Sequence, residues 1–182
     1  MDELQRTRTT AATGLATKQA DAEKHQDFAS YYEEHMGRLI RHLMRQGAGP
    51  HEAAEAAQAA FVVAYPQWRK IEYPDAWLRL VAFRLYLRLP ARYVLLDELP
   101  DAASPDCPVR TVEIHEEERR VLAALAELPM SQRQVMAWHL DSYETREIAE
   151  ALKMTPGAVR KNLERARKEL KRSLGITNGG EQ

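Results

Sequence analysis

Apolar residues recur every three or four positions through most of this chain, and this spacing constrains the fold more than any other feature. The first such stripe would lie on one helix face and comprises Phe28, Tyr32, Met36, Leu39 and Leu43. No segment alternates apolar and polar residues as a half-buried strand does. The pattern therefore predicts an all-α protein.

Helix breakers divide the N-terminal part into three predicted helices. The sequence "GAGP" at 47–50 ends the first helix, and Pro50 suits the first turn of a second helix over 51–64. The aromatic loop "YPQWRKIEYPD" follows, and a third helix begins near Pro74. Pro90 is expected to end or kink that helix, because proline lacks the N–H of a helical hydrogen bond.

A second helical unit is predicted from Glu116 onward. Its first helix carries Val121, Leu122, Leu125 and Leu128 as an inward face and ends at Pro129. Ser131 followed by Gln134 predicts a capping box for the next helix, whose apolar residues are Val135, Met136 and Leu140. A short helix is predicted over 147–152, followed by a three-residue turn.

The stretch "MTPGAVRKNLERARKELKR" at 154–172 carries the most functional information. Thr155 is a helix-capping residue type, and the buried stripe would be Val159, Leu163, Ala166 and Leu170. The opposite face carries Lys161, Glu164, Arg165 and Lys168, flanked by Arg160, Arg167 and Lys171. With the preceding short helix and turn, this arrangement predicts a helix-turn-helix whose second helix can enter a DNA major groove. The alternative is a solvent-exposed helix stabilised by ion pairs four residues apart.

Charge is segregated along a chain whose net charge is only −1. Residues 28–96 carry nine basic and six acidic side chains, and 119–175 carry twelve basic and seven acidic ones. The intervening residues 97–118 carry one basic and eight acidic side chains. Two basic blocks separated by an acidic strip favour a polyanionic partner and predict a linker over 94–118.

Several functional classes are disfavoured by what the sequence lacks. No apolar run approaches the roughly 18 residues of a membrane-spanning helix, and the N-terminus lacks the apolar core of a signal peptide. The single cysteine, Cys107, suits a reducing cytoplasm. The six histidines lack metal-ligand spacing, and no nucleophile–base set or phosphate-binding loop is present. We therefore expect a cytoplasmic protein without membrane insertion, metal, cofactor or enzymatic activity.

The segment "LAELPMSQRQVMAWHLDSYETREIAEALKMTPGAVRKNLERARKEL" at 125–170 resembles the promoter −35 reading domain of extracytoplasmic-function sigma factors. The segments "FASYYEEHMGRLIRHLMRQG", "EAAEAAQAAF" and "PDAWLRLVAFRL" are similar to the family's core-polymerase-binding and −10 domain. The resemblance implies two small helical domains, at 28–93 and 119–175, joined by the acidic linker over 94–118. Residues 1–27 and 176–182 would be tails.

The resemblance also implies roles for individual residues. In the −35 domain, base-edge contacts fall to Lys161, Glu164 and Arg165, and phosphate contacts to Arg146, Arg160 and Arg167. Thr155 joins this DNA-binding set at the start of the recognition helix. The implied −10 set is Lys70, Trp77, Arg79, Arg84 and Arg88, and the implied core-polymerase contacts are Glu52, Glu55 and Gln58.

The chain departs from the family pattern at a few positions. Ala59 stands where the family commonly has Glu, and Arg84 replaces a common Asn. Pro90 interrupts a helix that usually continues. Lys153 occupies a turn position where the family prefers Gly, and a positive φ there would cost on the order of 1 kcal/mol.

The expected function is that of a sigma factor, which binds core RNA polymerase and directs it to promoter DNA through −35 and −10 elements. An anti-sigma factor is a further partner that the resemblance implies. Two alternatives stay open from the sequence. One is a helix-turn-helix regulator that binds DNA without polymerase, and the other is a sigma-like interaction protein that no longer initiates transcription.

Overall fold

Helices account for all the regular structure in the two ranges that the computed structural model describes, residues 26–89 and 115–176. In the first range, α1 covers 26–45, α2 Pro50–Ala64 and α3 Pro74–Tyr86, with a 3-10 turn over Tyr65–Lys70. In the second range, α4 covers Glu116–Ala126, α5 Met130–Leu140, α6 Thr145–Ala151 and α7 Pro156–Ser173. The all-α prediction is confirmed. Pro90, Cys107, most of the predicted linker and both chain ends lie outside the described residues.

The N-terminal half packs around an unusually small-residue helix. The buried face of α2 carries Ala53, Ala57, Ala60 and Ala64, spaced three or four residues apart. Alanine is the best helix former and lets neighbouring helices approach closely. Phe61 fills the remaining space, and the rings of Phe28 and Tyr32 meet it edge-on.

The C-terminal half has its own apolar cluster, in which α7 packs on α5 and α6. The predicted stripe of α7 is confirmed, because Val159, Leu163 and Ala166 are buried and Leu170 packs beside them. Leu125 and Leu128 are also buried as predicted. Val121 is exposed, so the inward position predicted for it is wrong, and the apolar side chain of Leu140 is exposed as well.

The helix ends differ from the predictions in one place and agree in another. The capping box predicted for Ser131 and Gln134 is wrong, because α5 begins at Met130 with Pro129 as its cap. The Ser131 hydroxyl instead donates to Oδ1 of Asn162 on α7 at 3.4 Å. At α7 the prediction is confirmed, since Thr155 Oγ1 accepts from the Ala158 N–H at 3.1 Å.

Four helices end in the same hydrogen-bond pattern, in which the chain turns through a residue of positive φ. At the end of α1 that residue is Gly47, with φ +99°, and Ala48 N–H donates to the Leu43 carbonyl. Gly175 has this role after α7, but Ser142 after α5 and Lys153 after α6 are not glycines. The positive φ expected at Lys153 is thus present, at 53°.

The two halves contact each other directly. Leu122 of α4 packs against the N-terminal cluster, and Ala76 and Leu80 of α3 pack against the C-terminal cluster. Arg133 of α5 donates from Nη1 to the Gln46 carbonyl at 3.2 Å. The closed packing places the start of the helix-turn-helix beside α1 and α3.

Candidate nucleic-acid interface

The orientation of α7 is fixed by its first turn and its buried stripe. Thr155 is extended and caps the helix, and Pro156 occupies the first position, where its missing N–H would have no helical partner. Because Val159, Leu163 and Ala166 face the core, the residues between them must face solvent. The exposed side chains are those of Lys161, Glu164, Arg165 and Lys168, as predicted for a recognition surface.

This outward face combines donors with an acceptor. Lys161 and Arg165 can donate to the O6 and N7 atoms of guanine, and Glu164 can accept from the N4 amino group of cytosine. A surface built for phosphate alone has no use for the carboxylate, because it would repel the DNA backbone. The mixture of charges therefore favours contact with base edges.

Arg146 and Arg160 line a single groove of about 670 Å³ between the starts of α6 and α7. Arg146 lies near the start of α6 and Arg160 in the first turns of α7, and both side chains are exposed. Glu144, which also lines the groove, caps α6 together with Glu147, whose carboxylate accepts the Glu144 N–H at 2.7 Å. Two cations that the sequence predicts as phosphate contacts thus lie on one surface.

Arg167 lies on the flank of α7. Its Nη2 donates to Nε2 of His139 on α5 at 2.8 Å, so its guanidinium is turned toward α5. Its position suits a contact at the edge of a DNA groove more than one at its floor.

The residues predicted for the −10 element differ in accessibility. Lys70, at the end of the 3-10 turn, and Arg84 and Arg88, at the end of α3, are exposed. Trp77 is partly buried against the N-terminal cluster. Arg79 is only 5% exposed, so it is enclosed within the protein in this arrangement.

One aromatic residue of the preceding loop is not among the residues predicted for the −10 element. Tyr73, directly before α3, is 70% exposed, whereas Trp68 is buried and donates from Nε1 to Asp27 at 2.7 Å. An exposed aromatic ring offers a stacking surface for an unpaired base. Its position before Pro74, at a helix start, is the signal that could have identified it.

The residues predicted to contact core polymerase divide into a cap and a surface. Glu52 Oε2 accepts from the Gly49 N–H at 3.0 Å, so this carboxylate helps to begin α2. Glu55 and Gln58 are exposed and share their helix face with Val62, which is 72% exposed. Gln58 and Val62 line a groove of about 420 Å³ together with Phe28, Tyr32, Phe61 and Tyr65. The apolar part of this surface was missed because Val62 reads as one more core residue in "FVVA".

Asp141 joins the two halves. It follows α5 directly, and its carboxylate accepts from Nδ1 of His42 and Nε of Arg79, both at 2.7 Å. Nη1 of Arg45 donates to the same carboxylate. Arg79 also pairs with Asp75 at 2.9 Å, and the Tyr143 ring lies under its guanidinium at 5.2 Å. All three donors to Asp141 belong to the N-terminal half.

The protonation states in this cluster follow from its hydrogen bonds. Because a carboxylate only accepts, Nδ1 of His42 carries a proton, and Nε2 accepts from the Gln46 amide at 2.7 Å. Burial lowers the pKa of His42 more than Asp141 raises it. Burial raises the pKa of Asp141, but the hydrogen bonds and charges of His42 and Arg79 bring it down to about 2. At neutral pH the cluster holds a carboxylate, a neutral imidazole and two guanidinium groups.

Among residues 26–89 and 115–176, no group of three or more histidine, cysteine or acidic side chains could hold a metal ion. In the same ranges, none of the helices has the length and apolar character needed to cross a membrane.

Comparison with known proteins gives a consistent result along the chain. Residues 118–170 match the family model of sigma-70, region 4. A relative from Streptomyces coelicolor, named RNA polymerase sigma-E factor, is 29% identical over 153 residues, which cover 81% of this chain and 86% of the relative. The protein of the same name from Streptomyces avermitilis is 30% identical over 153 residues, with 81% and 85% covered.

Two solved structures share the fold. One is the sigma factor RpoE in complex with the anti-sigma factor NepR from Bartonella quintana, with a TM-score of 0.64 and 16% identity. That likeness covers 84% of this chain and 99% of the other. The second is CnrH in complex with the cytosolic domain of CnrY, with a TM-score of 0.60, 20% identity, and 88% and 96% covered.

Proposed function

The chain belongs to the extracytoplasmic-function family of RNA polymerase sigma factors, and on that premise we propose how its two halves divide promoter recognition. Its role is in transcription initiation. The C-terminal half, residues 119–175, reads the −35 element, and the N-terminal half, residues 28–93, binds core polymerase and opens the −10 element. The acidic segment over 94–118 joins them. The chain acts with core polymerase in the cytoplasm.

The observation that carries the −35 assignment is the outward face of α7. Lys161, Glu164 and Arg165 are exposed on the side opposite the buried stripe, and the Thr155 cap fixes the start of the helix. These three side chains contact base edges in the major groove. Arg146 and Arg160, which line one groove, contact phosphates and set the register, and Arg167 contacts the backbone at the flank.

The N-terminal half offers two separate surfaces. Glu55, Gln58 and Val62 form an exposed stripe on α2 that binds core polymerase, while Glu52 holds the start of that helix. On the other surface, Tyr73 stacks on an unpaired base of the −10 element, and Lys70, Arg84 and Arg88 follow the phosphates. Trp77 supports this surface from the side of the core.

The decisive experiment is in vitro transcription with core polymerase, with and without the chain, on a library of promoter fragments. We expect promoter-dependent product only when the chain is present. Tight operator binding by the chain alone, without product, would favour the helix-turn-helix regulator. Binding to core polymerase without product would favour the interaction protein.

Base readout is tested with Arg165→Ala, which should cost about 1–3 kcal/mol at one base position of the −35 element. Arg172→Ala is the matched control, because it removes an exposed cation from the last turn of the same helix, outside the recognition surface. A loss spread evenly over all sequences would make Arg165 a phosphate contact instead.

Polymerase binding is tested with Glu55→Lys, which reverses one charge on the α2 stripe. The matched control is Glu33→Lys, which reverses an exposed charge on α1. We expect weaker capture of core polymerase with the first variant alone. Equal binding of both variants would show that the polymerase-binding surface does not include Glu55 of α2.

An anti-sigma factor completes the proposed partners, in keeping with the two complexes of the same fold.

A further inference from the structure

The Asp141 cluster is the main polar connection between the two halves. Its acceptor lies at the end of α5, and its donors, His42, Arg45 and Arg79, lie on α1 and α3. The side chain of Asp141 is 8% exposed, that of Arg79 is 6% exposed and His42 is fully buried. Removing one partner of a buried charge pair leaves the other charge uncompensated, so loss of the Asp141 carboxylate would strongly destabilise this contact.

Apolar and backbone contacts extend the same interface. Trp138 of α5 meets the His42 ring edge-on, with 5.6 Å between the centroids. Arg41 on α1 pairs with Glu118 on α4 at 3.6 Å, and Arg133 reaches the Gln46 carbonyl. The closed form is therefore a packed state with a specific polar centre.

This closed form cannot read a promoter with both halves at once. The −35 and −10 elements are about 25 base pairs apart by their names, which is about 85 Å along B-DNA at 3.4 Å per base pair. Here α3, which carries Trp77, Arg79 and Arg84 of the −10 candidates, is hydrogen-bonded to the residue that follows α5 of the helix-turn-helix. The two DNA-binding surfaces must separate before both elements are bound.

Asp141 also competes with DNA for one side chain. Arg79 is a predicted contact of the −10 phosphates, and its Nε is held by the Asp141 carboxylate. A carboxylate and a phosphate offer a guanidinium similar charge and similar paired oxygen acceptors. Opening the interface would release Arg79 to a phosphate.

We propose that Asp141 is an intramolecular latch, which keeps the chain in a closed form unable to bind a whole promoter by occupying Arg79 in place of DNA. The proposal rests on the proposed function for its consequence in transcription. Its structural part, that Asp141 holds the halves together, does not depend on that function.

The structural part is tested by distance measurement on the full chain with spin labels at Gln67→Cys and Ser173→Cys, both exposed, in a Cys107→Ser background. In the protein that retains Asp141 we expect one narrow distribution of distances, and in the Asp141→Asn variant a large fraction of longer distances. Asp75→Asn is the matched control, because Asp75 also pairs with Arg79 but from within the N-terminal half. An unchanged distance distribution in a folded Asp141→Asn protein overturns the latch.

A second variant tests whether the closed form is inactive in transcription, and it leaves Asp141 unchanged. Cysteines introduced as Arg41→Cys and Glu118→Cys, again with Cys107→Ser, are joined by a cleavable bismaleimide linker, which locks the closed form. The same protein with its cysteines capped singly is the control. We expect the locked protein to lose promoter-dependent transcription and to regain it on cleavage of the linker.

The outcomes separate the two proposals. Full activity of the locked protein overturns the latch and leaves the proposed function standing. If neither the capped control nor the unaltered chain gives promoter-dependent product, the proposed function fails, and the distance measurement alone decides the latch.

Discussion

The Arg133 guanidinium lies against Gly47 and occupies the space that the Cβ of any other residue at position 47 would need. Its Nη1 donates to the Gln46 carbonyl at 3.2 Å, and its Nη2 donates to the Leu128 carbonyl at 2.9 Å. One side chain therefore ties the end of α4 to the turn after α1. The approach is this close because glycine has no Cβ.

We predict that Gly47→Ala lowers the free energy of unfolding for two reasons. The positive φ of 99° costs an alanine about 1–2 kcal/mol, and its Cβ must displace Arg133. Urea denaturation measures the sum. In an Arg133→Ala background only the backbone part should remain, so an equal cost in both backgrounds would show that the close approach is unimportant.

Lys153→Gly should stabilise the chain by up to about 1 kcal/mol. Lys153 has φ 53° in the turn before α7, where glycine avoids the Cβ strain but adds freedom to the unfolded chain. The gain is measured as a higher urea midpoint. Lys153→Ala keeps the Cβ and is the control; if it stabilises as much as glycine does, the side chain of Lys153 is responsible and the backbone is not.

Thr155→Ala should cost about 1 kcal/mol, because it leaves the Ala158 N–H at the start of α7 without its side-chain acceptor. Thermal unfolding followed by circular dichroism measures the loss. Thr155→Ser retains the hydroxyl and should restore most of the stability. Equal losses in the serine and alanine variants would contradict the capping role.

The Asp141 carboxylate should make stability depend on pH in the acid range. Its pKa is lowered from 3.8 to about 2, so its contribution is fully present above about pH 4 and is lost as the pH falls through 2. The shift corresponds to about 2 kcal/mol. Urea denaturation from pH 5 to pH 2 should show a steeper decline in the wild type than in Asp141→Asn. Parallel curves would mean that the carboxylate is not paired.

His42 should make the free energy of unfolding depend on pH in a range above that of Asp141. Because burial lowers its pKa below 6.5, the unfolded chain takes up a proton before the folded chain does. The free energy of unfolding should therefore decrease as the pH falls below about 6.5. His42→Gln, which can still donate to Asp141, should reduce this slope, as measured by urea denaturation between pH 7 and pH 5. An unchanged slope would assign the effect to other histidines.

The local parts of the fold could be predicted from the sequence because they repeat within one helix. Val159, Leu163 and Ala166 follow one another at helical spacing, and Thr155 caps the same helix, so no distant residue decides their positions. Lys153 was a candidate for positive φ on a different ground, because the family that the sequence resembles prefers Gly in that turn. The outward face of α7 then consists of the side chains that do not belong to the buried stripe.

The rest depends on contacts between residues far apart in the chain. Arg79 reads as an exposed cation of α3, but its pairing with Asp141, 62 positions later, helps to enclose it. Ser131 reads as a cap, but α5 begins at Met130 with Pro129 as its cap, two residues too early for that role. Contacts between residues so far apart in the chain leave no periodic pattern in the sequence, so the association of the two halves was not predicted.

Burial of the Asp141 carboxylate has a consequence for ionic strength. Dissolved ions screen exposed charges beyond about 8 Å at physiological salt but affect buried pairs much less. The cations of α7 are exposed, while Asp141 and Arg79 are almost completely enclosed. Added salt should therefore weaken attraction to DNA and leave the internal pair intact. A rise in ionic strength would therefore favour the closed form over the DNA-bound form.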